Sequence, residues 1–196
     1  MKLFSISDLK KDKPKIAVIE AYDSLKSMAK SKCFELDLSK ELPSIEMGAI
    51  IEFVTHGRWS IHQIVKHLIQ TTGAVDVHLA TWTITEEPLR MLFKLRNEGK
   101  IKGLTCLFDN RIKERTPKSF QFASQFVDRI GLTKSHAKVT VLENEEWAIT
   151  INSSMNWSKN PRTESGVIIC TKESVDFHKK WINNKINANQ QTNKGS

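Results

Sequence analysis

The sequence predicts an α/β sandwich, with a mixed β-sheet flanked by helices. Two observations carry this reading. Between Gly48 and Gly131 the chain repeats a short apolar strand followed by an amphipathic helix three times. From His136 to Cys170 it reads as a run of strands, closed by one helix. Strand–helix units followed by consecutive strands give a sheet with both parallel and antiparallel pairs.

The elements follow in order. Pro14 opens a helix with Ile16, Ile19, Tyr22, Leu25 and Met28 at helical spacing, because proline suits a first turn. Residues 31–46 are mixed in character and read as irregular. Ala49–Val54 is short, apolar and partly β-branched, a strand. Ser60 caps a helix with Ile61, Ile64, Val65, Leu68 and Ile69 on one face, stopped by Gly73. Val75–Trp82 alternates as a strand. Thr85 caps the next helix, whose Glu86, Glu87 and Pro88 suit its first turn and which Gly99 ends. Gly103–Phe108 is a strand. Thr116-Pro117 starts a helix through Phe120, Ala123, Val127 and Ile130, ended by Gly131. His136–Leu142 and Trp147–Ile151 are strands joined by the polar turn Glu143–Glu146, Gly166–Cys170 is a last strand, and Ser174–Ile186 a last helix. The division is an extension over 1–45, partly helical and partly irregular, a folded domain over 46–186, and a disordered tail over 187–196, at the end of an Asn-, Gln- and Lys-rich stretch that begins at Asn183.

With 39% apolar and 27% charged residues, the chain falls among globular proteins, and no apolar run reaches the roughly 20 residues of a membrane span. The first 15 residues lack the apolar core of a secretory signal, which favours a cytoplasmic protein. Cys33, Cys106 and Cys170 are far apart, as expected of free thiols, and no Cys/His cluster has metal-ligand spacing. The scattered His56, His62, His67 and His78 form no metal motif. His62 and His67 fall off the apolar stripe of their helix and read as solvated. A net charge of +8 favours a polyanionic partner, nucleic acid or an anionic membrane surface.

The segment Ser135–Glu164, SHAKVTVLENEEWAITINSSMNWSKNPRTE, carries the chemistry. Residues two apart on a strand share a face, so His136 and Lys138 project together while Ala137, Val139 and Val141 face the core. The next strand delivers Asn152, Ser153, Ser154 and Asn156 at its end, and Glu164 precedes the last strand. A phosphodiester calls for such groups. An imidazole attacks phosphorus, a lysine neutralises a non-bridging oxygen, and Asn and Ser donate to the same oxygens. A carboxylate orients the imidazole, and a second histidine is a suitable acid for the leaving alkoxide. Taken singly, each of these residues would be an ordinary structural or solvated side chain. Their order is what carries weight.

This stretch resembles the phospholipase D superfamily signature, H-x-K-x4-D followed by G-S-x-N and a later Glu. His136-Ala137-Lys138, Ser154-Met155-Asn156 and Glu164 match it, and the wording SSMNWSKNPRTE looks like phage and bacterial proteins of that group. The resemblance spans about residues 48–185. Two positions depart from it: Glu143 stands at the acidic position and Ser153 at the glycine. Glu143 resembles a structural position that tolerates the change, whereas Ser153 can crowd a tight turn beside the phosphate. His178-Lys179-Lys180 also fits H-x-K, but on a helix with no S-x-N after it, and reads as a solvated face.

The resemblance implies an α-β-α sandwich and a metal- and cofactor-independent phosphodiesterase. His136 would be the nucleophile, with Lys138, Ser154, Asn156 and Glu164 around it. The implied mechanism uses two histidines, and one motif supplies one. A two-fold homodimer sharing a single site is therefore expected. Arg111, Lys113, Arg115 and Lys118 follow the third strand, and Lys134, Lys159 and Arg162 surround the motif. They are solvated charges or a groove for a phosphate backbone. Trp82 and Trp157 lie near strand ends, flanking the site or packing in the core. The leading expectation is a nuclease acting on DNA or RNA. The rivals are a catalytically silent nucleic-acid-binding module, which Ser153 supports, and a phospholipid hydrolase, for which no amphipathic basic helix or anchor stands out.

Overall fold

The computed structural model of the chain describes residues 28–32, 38, 42, 44–159 and 161–192. It contains one eight-stranded sheet: β1 (Met28–Lys32), β2 (Ile50–Val54), β3 (Val75–Thr81), β4 (Ile101–Asp109), β5 (Arg129–Thr133), β6 (Val139–Glu143), β7 (Ala148–Ser153) and β8 (Ser165–Ile169). Helix α1 (Ile61–Thr72) joins β2 to β3, and α2 (Glu86–Asn97) joins β3 to β4. The short α3 (Ile112–Arg115) and α4 (Pro117–Ala123) join β4 to β5, and α5 (Lys172–Thr192) follows β8.

The strand order is β1-β2-β8-β7-β6-β3-β4-β5. β1 pairs parallel with β2, and β3, β4 and β5 are parallel neighbours. The antiparallel run β6-β7-β8 is inserted between β2 and β3, so the last strands of the chain occupy the middle of the sheet. The predicted mixed sheet flanked by helices is the architecture observed.

Both faces are covered, as the burial of consecutive residues requires. Val77, Leu79, Cys106, Phe108, Leu142 and Ile151 share one core with Ile64, Leu68, Leu89, Leu92 and Ala123 from α1, α2 and α4. Their strand neighbours Ala80 and Leu107 pack instead with Ile182 and Ile186 of α5, and Val139, Val141 and Ala148 with Val175. Local signals set the helix ends. Ser60 and Gln63 close a capping box on α1, and Gly73, at φ 75°, follows its last turn. Among the described residues no helix is long and apolar enough to cross a membrane.

Several boundaries differ from the sequence reading. The helix expected from Pro14 lies outside the described residues except for Met28, which opens β1. The segment expected to be irregular after it completes that strand, and Leu42 is buried in the main core, so residues before 46 contribute to the domain. The helix from Pro117 stops at Ala123 rather than Ile130. Arg129–Thr133 pairs with β4 instead, because edge pairing satisfies its backbone and Ile130 and Leu132 still pack on the core. The last helix begins at Lys172 and runs to Thr192, beyond the 186 boundary. Arg129 holds its extension, donating to Asn183 Oδ1 at 2.8 Å and Asn187 Oδ1 at 2.7 Å.

Glu143 ties α5 to the sheet. It accepts hydrogen bonds from Lys172 and Lys179, and its side chain is only 14% exposed. Burial alone would raise its pKa, but the two ammonium groups outweigh it and hold the carboxyl below its ordinary value. A depressed folded pKa contributes stability that is present above the unfolded value, about 4.3, and is lost as pH falls through the folded one. Glu143→Gln should therefore melt below the wild type at pH 7. The gap should narrow as pH falls below about 4, which thermal melts across the acid range will measure.

Gly166 is a second constraint. A Cβ there would lie 2.6 Å from Phe53 Cζ, 2.6 Å from Ser153 Cβ and 2.7 Å from Asn152 O. Gly166→Ala should cost about 1–3 kcal/mol in urea unfolding, with part of the loss restored by adding Ser153→Gly.

Candidate active site

His136 and Lys138 stand where β6 begins, level with the carboxyl ends of β3, β4 and β7. Both lie in the extended segment before the strand rather than inside it, as the sequence reading had placed them. The physical reason is a change of backbone partners. Ser135 N–H donates to Asp109 Oδ2 (3.3 Å) and Ala137 N–H to Ser135 Oγ (3.1 Å), and only Lys138 O still bonds to β7, accepting from Ser153 N–H (3.2 Å). The two-residue alternation survives. Ala137 packs toward α5, and Lys138 Nζ lies 3.1 Å from His136 Nδ1, 3.4 Å from Nε2 and 2.9 Å from His136 O.

Ser154 and Glu164 meet beside this pair. Ser154 Oγ donates to Glu164 Oε2 and accepts from Ser165 N–H at 3.1 Å. Glu164 is fixed through its backbone: its N–H donates to Thr55 Oγ1 (3.2 Å), and Thr55 N–H donates to its carbonyl (2.8 Å). Burial lowers the pKa of Lys138, opposed by the charge of Glu164. Asn156 Oδ1 is buried and has no hydrogen-bond partner among the described residues, an acceptor left unmet. The next residue, Trp157, is 1% exposed and anchors this loop. Its Nε1–H donates to Thr140 Oγ1 (3.2 Å), and its carbonyl accepts from Thr85 N–H (2.9 Å). Trp157 is thus a core residue. Ser153 Oγ accepts from Met155 N–H at 3.3 Å.

Not every flagged residue joins the group. Asn152 lies 3.3 Å from His178 Nε2, on the α5 side of the sheet, and Trp181 Nε1–H donates to His178 Nδ1 at 2.9 Å. His178 is therefore not on a solvated face: burial lowers its pKa, and Lys179 is engaged by Glu143. His62, expected to be solvated, is 5% exposed because its ring turns back onto the helix start, with Nε2 3.2 Å from Ser60 Oγ. Cys106 and Cys170 are free and buried, and Cys33 lies outside the described residues.

A buried scaffold stands behind His136, and the sequence reading missed its central group, Asp109. This carboxylate ends β4 and accepts from Arg115 Nη2 (2.6 Å), Arg111 N–H (3.2 Å) and Ser135 N–H (3.3 Å). Burial raises its pKa, but these donors prevail and hold it below the usual carboxylate range. Arg115 also donates to Trp82 O (2.7 Å) and stacks 3.9 Å over the Trp82 ring, whose centroid is 5.5 Å from that of His136. The available signal was an acid closing an apolar strand, with arginines two and six residues on.

Arg115 is therefore committed to the scaffold. Arg111 reaches Asp109 at 3.7 Å from an exposed position, and Lys113 lies 5.3 Å over the Phe120 ring. Lys118, Lys134, Lys159 and Arg162 are exposed.

With fold and site in view, comparison with known proteins gives a consistent result. Family models and curated proteins gave no match to the sequence. Solved structures did. The chain is similar to Nuc, a phospholipase D family member from Salmonella typhimurium, at 14% identity over 70% of this chain and 93% of that one, with a TM-score of 0.55. It is also similar to NucT from Helicobacter pylori, at 16% identity over 70% and 95% of the two chains, with a TM-score of 0.56. The chain has the phospholipase D superfamily fold.

Removing Asp109 tests the scaffold. Asp109→Ala leaves the Arg115 guanidinium without its carboxylate and should lower stability by about 3 kcal/mol in urea unfolding. Arg111→Ala, at an exposed pair, should cost less than about 1 kcal/mol.

Proposed function

We propose that this protein is a metal-independent phosphodiesterase, a nuclease acting on DNA or RNA, with one active site shared across a two-fold homodimer. The observation that carries the reading is the His136–Lys138 pair, 3.1 Å apart, beside the Ser154–Glu164 hydrogen bond in a phospholipase D fold. A ring nitrogen of His136 attacks phosphorus, and the bond to the leaving oxygen breaks. His136 of a second copy protonates that oxygen, and water then hydrolyses the phosphohistidine. Lys138 and the side-chain N–H of Asn156 hold the non-bridging oxygens as charge develops. A lysine whose burial disfavours its charged form gains most from a phosphate anion brought against it. The net charge of +8, with exposed Lys134 and Arg162 on either side of the motif, supports a polynucleotide over a neutral ester.

A second reading is a nucleic-acid-binding module that does not cut. Ser153 supports it, since its side chain fills the turn before Ser154 and packs against Gly166.

Labelled single- and double-stranded DNA and RNA, incubated with the protein in EDTA, separate the two. Cleavage that falls at least about 10³-fold in His136→Ala is the expected result. Absence of cleavage with salt-sensitive binding kept in both proteins selects the binding module. Light scattering at micromolar concentration tests the shared site, and an active stable monomer overturns it.

A further inference from the structure

A cavity of about 560 Å³ opens between the loop after β2, the start of α1 and the loop that carries Asn156 to Glu164. Its size lies in the range of about 300–1,000 Å³ usual for small-ligand sites. Trp59, Ser60 and His62 line it from buried positions, while Arg58, Glu87 and Lys159 are exposed around it. Trp59 is 3% exposed and His62 5%, yet Trp59 Nε1 and His62 Nδ1 have no hydrogen-bond partner among the described residues. Two buried ring nitrogens left unpaired are costly unless something else satisfies them.

The cavity is built, not incidental. Gly57, at φ 76°, lets the β2 loop meet the far loop so closely that a Cβ would lie 2.0 Å from Pro161 O. Thr55 fastens the same two loops, bonding Gly57 N–H and Glu164 N–H through Oγ1. One wall of the cavity is therefore the segment that positions Glu164.

We propose that this cavity binds one nucleotide, base inward and phosphate outward, as the subsite next to the scissile bond. The inference rests on the nuclease reading above. The chemistry favours a nucleotide over a bare anion. The lining offers the flat rings of Trp59 and His62, a donor in the Gln63 amide, whose oxygen already accepts from Ser60, and an acceptor in the Glu87 carboxylate, which repels an anion. Arg58 and Lys159 supply the cations for the phosphate.

The test reads the Trp59 indole N–H signal in ¹H–¹⁵N spectra of the full chain. Trp59→Phe assigns it, or triple-resonance spectra do if that variant does not fold. The Trp157 indole, already bonded to Thr140, is the internal control. Adenosine 5′-monophosphate should move the Trp59 signal saturably and leave that of Trp157 in place. Ribose 5-phosphate, which lacks the base, should move it far less. Glu87→Gln, at an exposed position, should weaken the nucleotide about tenfold. No movement of the Trp59 signal up to about 10 mM nucleotide overturns the proposal, as does equal movement by ribose 5-phosphate. Cleavage is measured separately. An uncut substrate with a responding Trp59 removes the nuclease reading and keeps the cavity's ligand, whereas an active nuclease with a silent Trp59 removes the subsite alone.

Discussion

The antiparallel pairing of β6 with β3 is the constraint on which the rest of the structure depends. Ala80 lies opposite Val139 and Asp76 opposite Glu143, so the start of β6 falls beside the end of β3. That register brings His136 and Lys138 to the edge where β4 releases Asp109 and where Trp82 follows β3. A register slip of one residue would turn His136 and Lys138 toward α5 and Ala137 toward the site. Inserting β6, β7 and β8 in the middle of the sheet also buries both faces of this register, which makes such a slip costly.

Three half-buried or buried charged groups organise the ends of the sheet, and their surroundings separate their roles. Glu143 is held by two lysines at the end of β6 remote from His136, which explains why a glutamate serves at a position whose resemblance implied aspartate. Asp109 is held by Arg115 and two backbone donors behind the histidine. Both carboxylates are satisfied from within the fold. Lys138 faces an imidazole, a carbonyl and the field of Glu164, and burial works against its charge. Lys138 alone of the three has its charged form disfavoured.

The two histidine–lysine motifs show how context distinguishes identical patterns. On the extended segment before β6, a spacing of two puts His136 and Lys138 on one side, nitrogen to nitrogen. On α5, His178 and Lys180 are two apart on a helix and diverge. The partners of His178 are Trp181 and Asn152, and Lys180 is exposed.

The sequence by itself determined what local periodicity and chain order can encode. Alternation in Val75–Trp82, the capping pair Ser60 and Gln63, and the glycines at 73 and 99 fixed elements whose causes lie within a few residues. The order of His136, Lys138, Ser154, Asn156 and Glu164 named candidates, of which the fold brings His136 to Lys138 and Ser154 to Glu164. Tertiary structure decided what depends on partners distant in the chain. Arg129–Thr133 reads as the end of a helix until β4 offers it an edge. Residues 187–192 read as a polar tail until Arg129 holds Asn183 and Asn187. His62 lies off its helix's apolar stripe, yet is buried because its ring turns back to Ser60 at the helix start. Asp109 became the support of the site only when β4, Arg115 and the approach to β6 met, since a carboxylate's role is set by the donors brought to it and not by its own spacing.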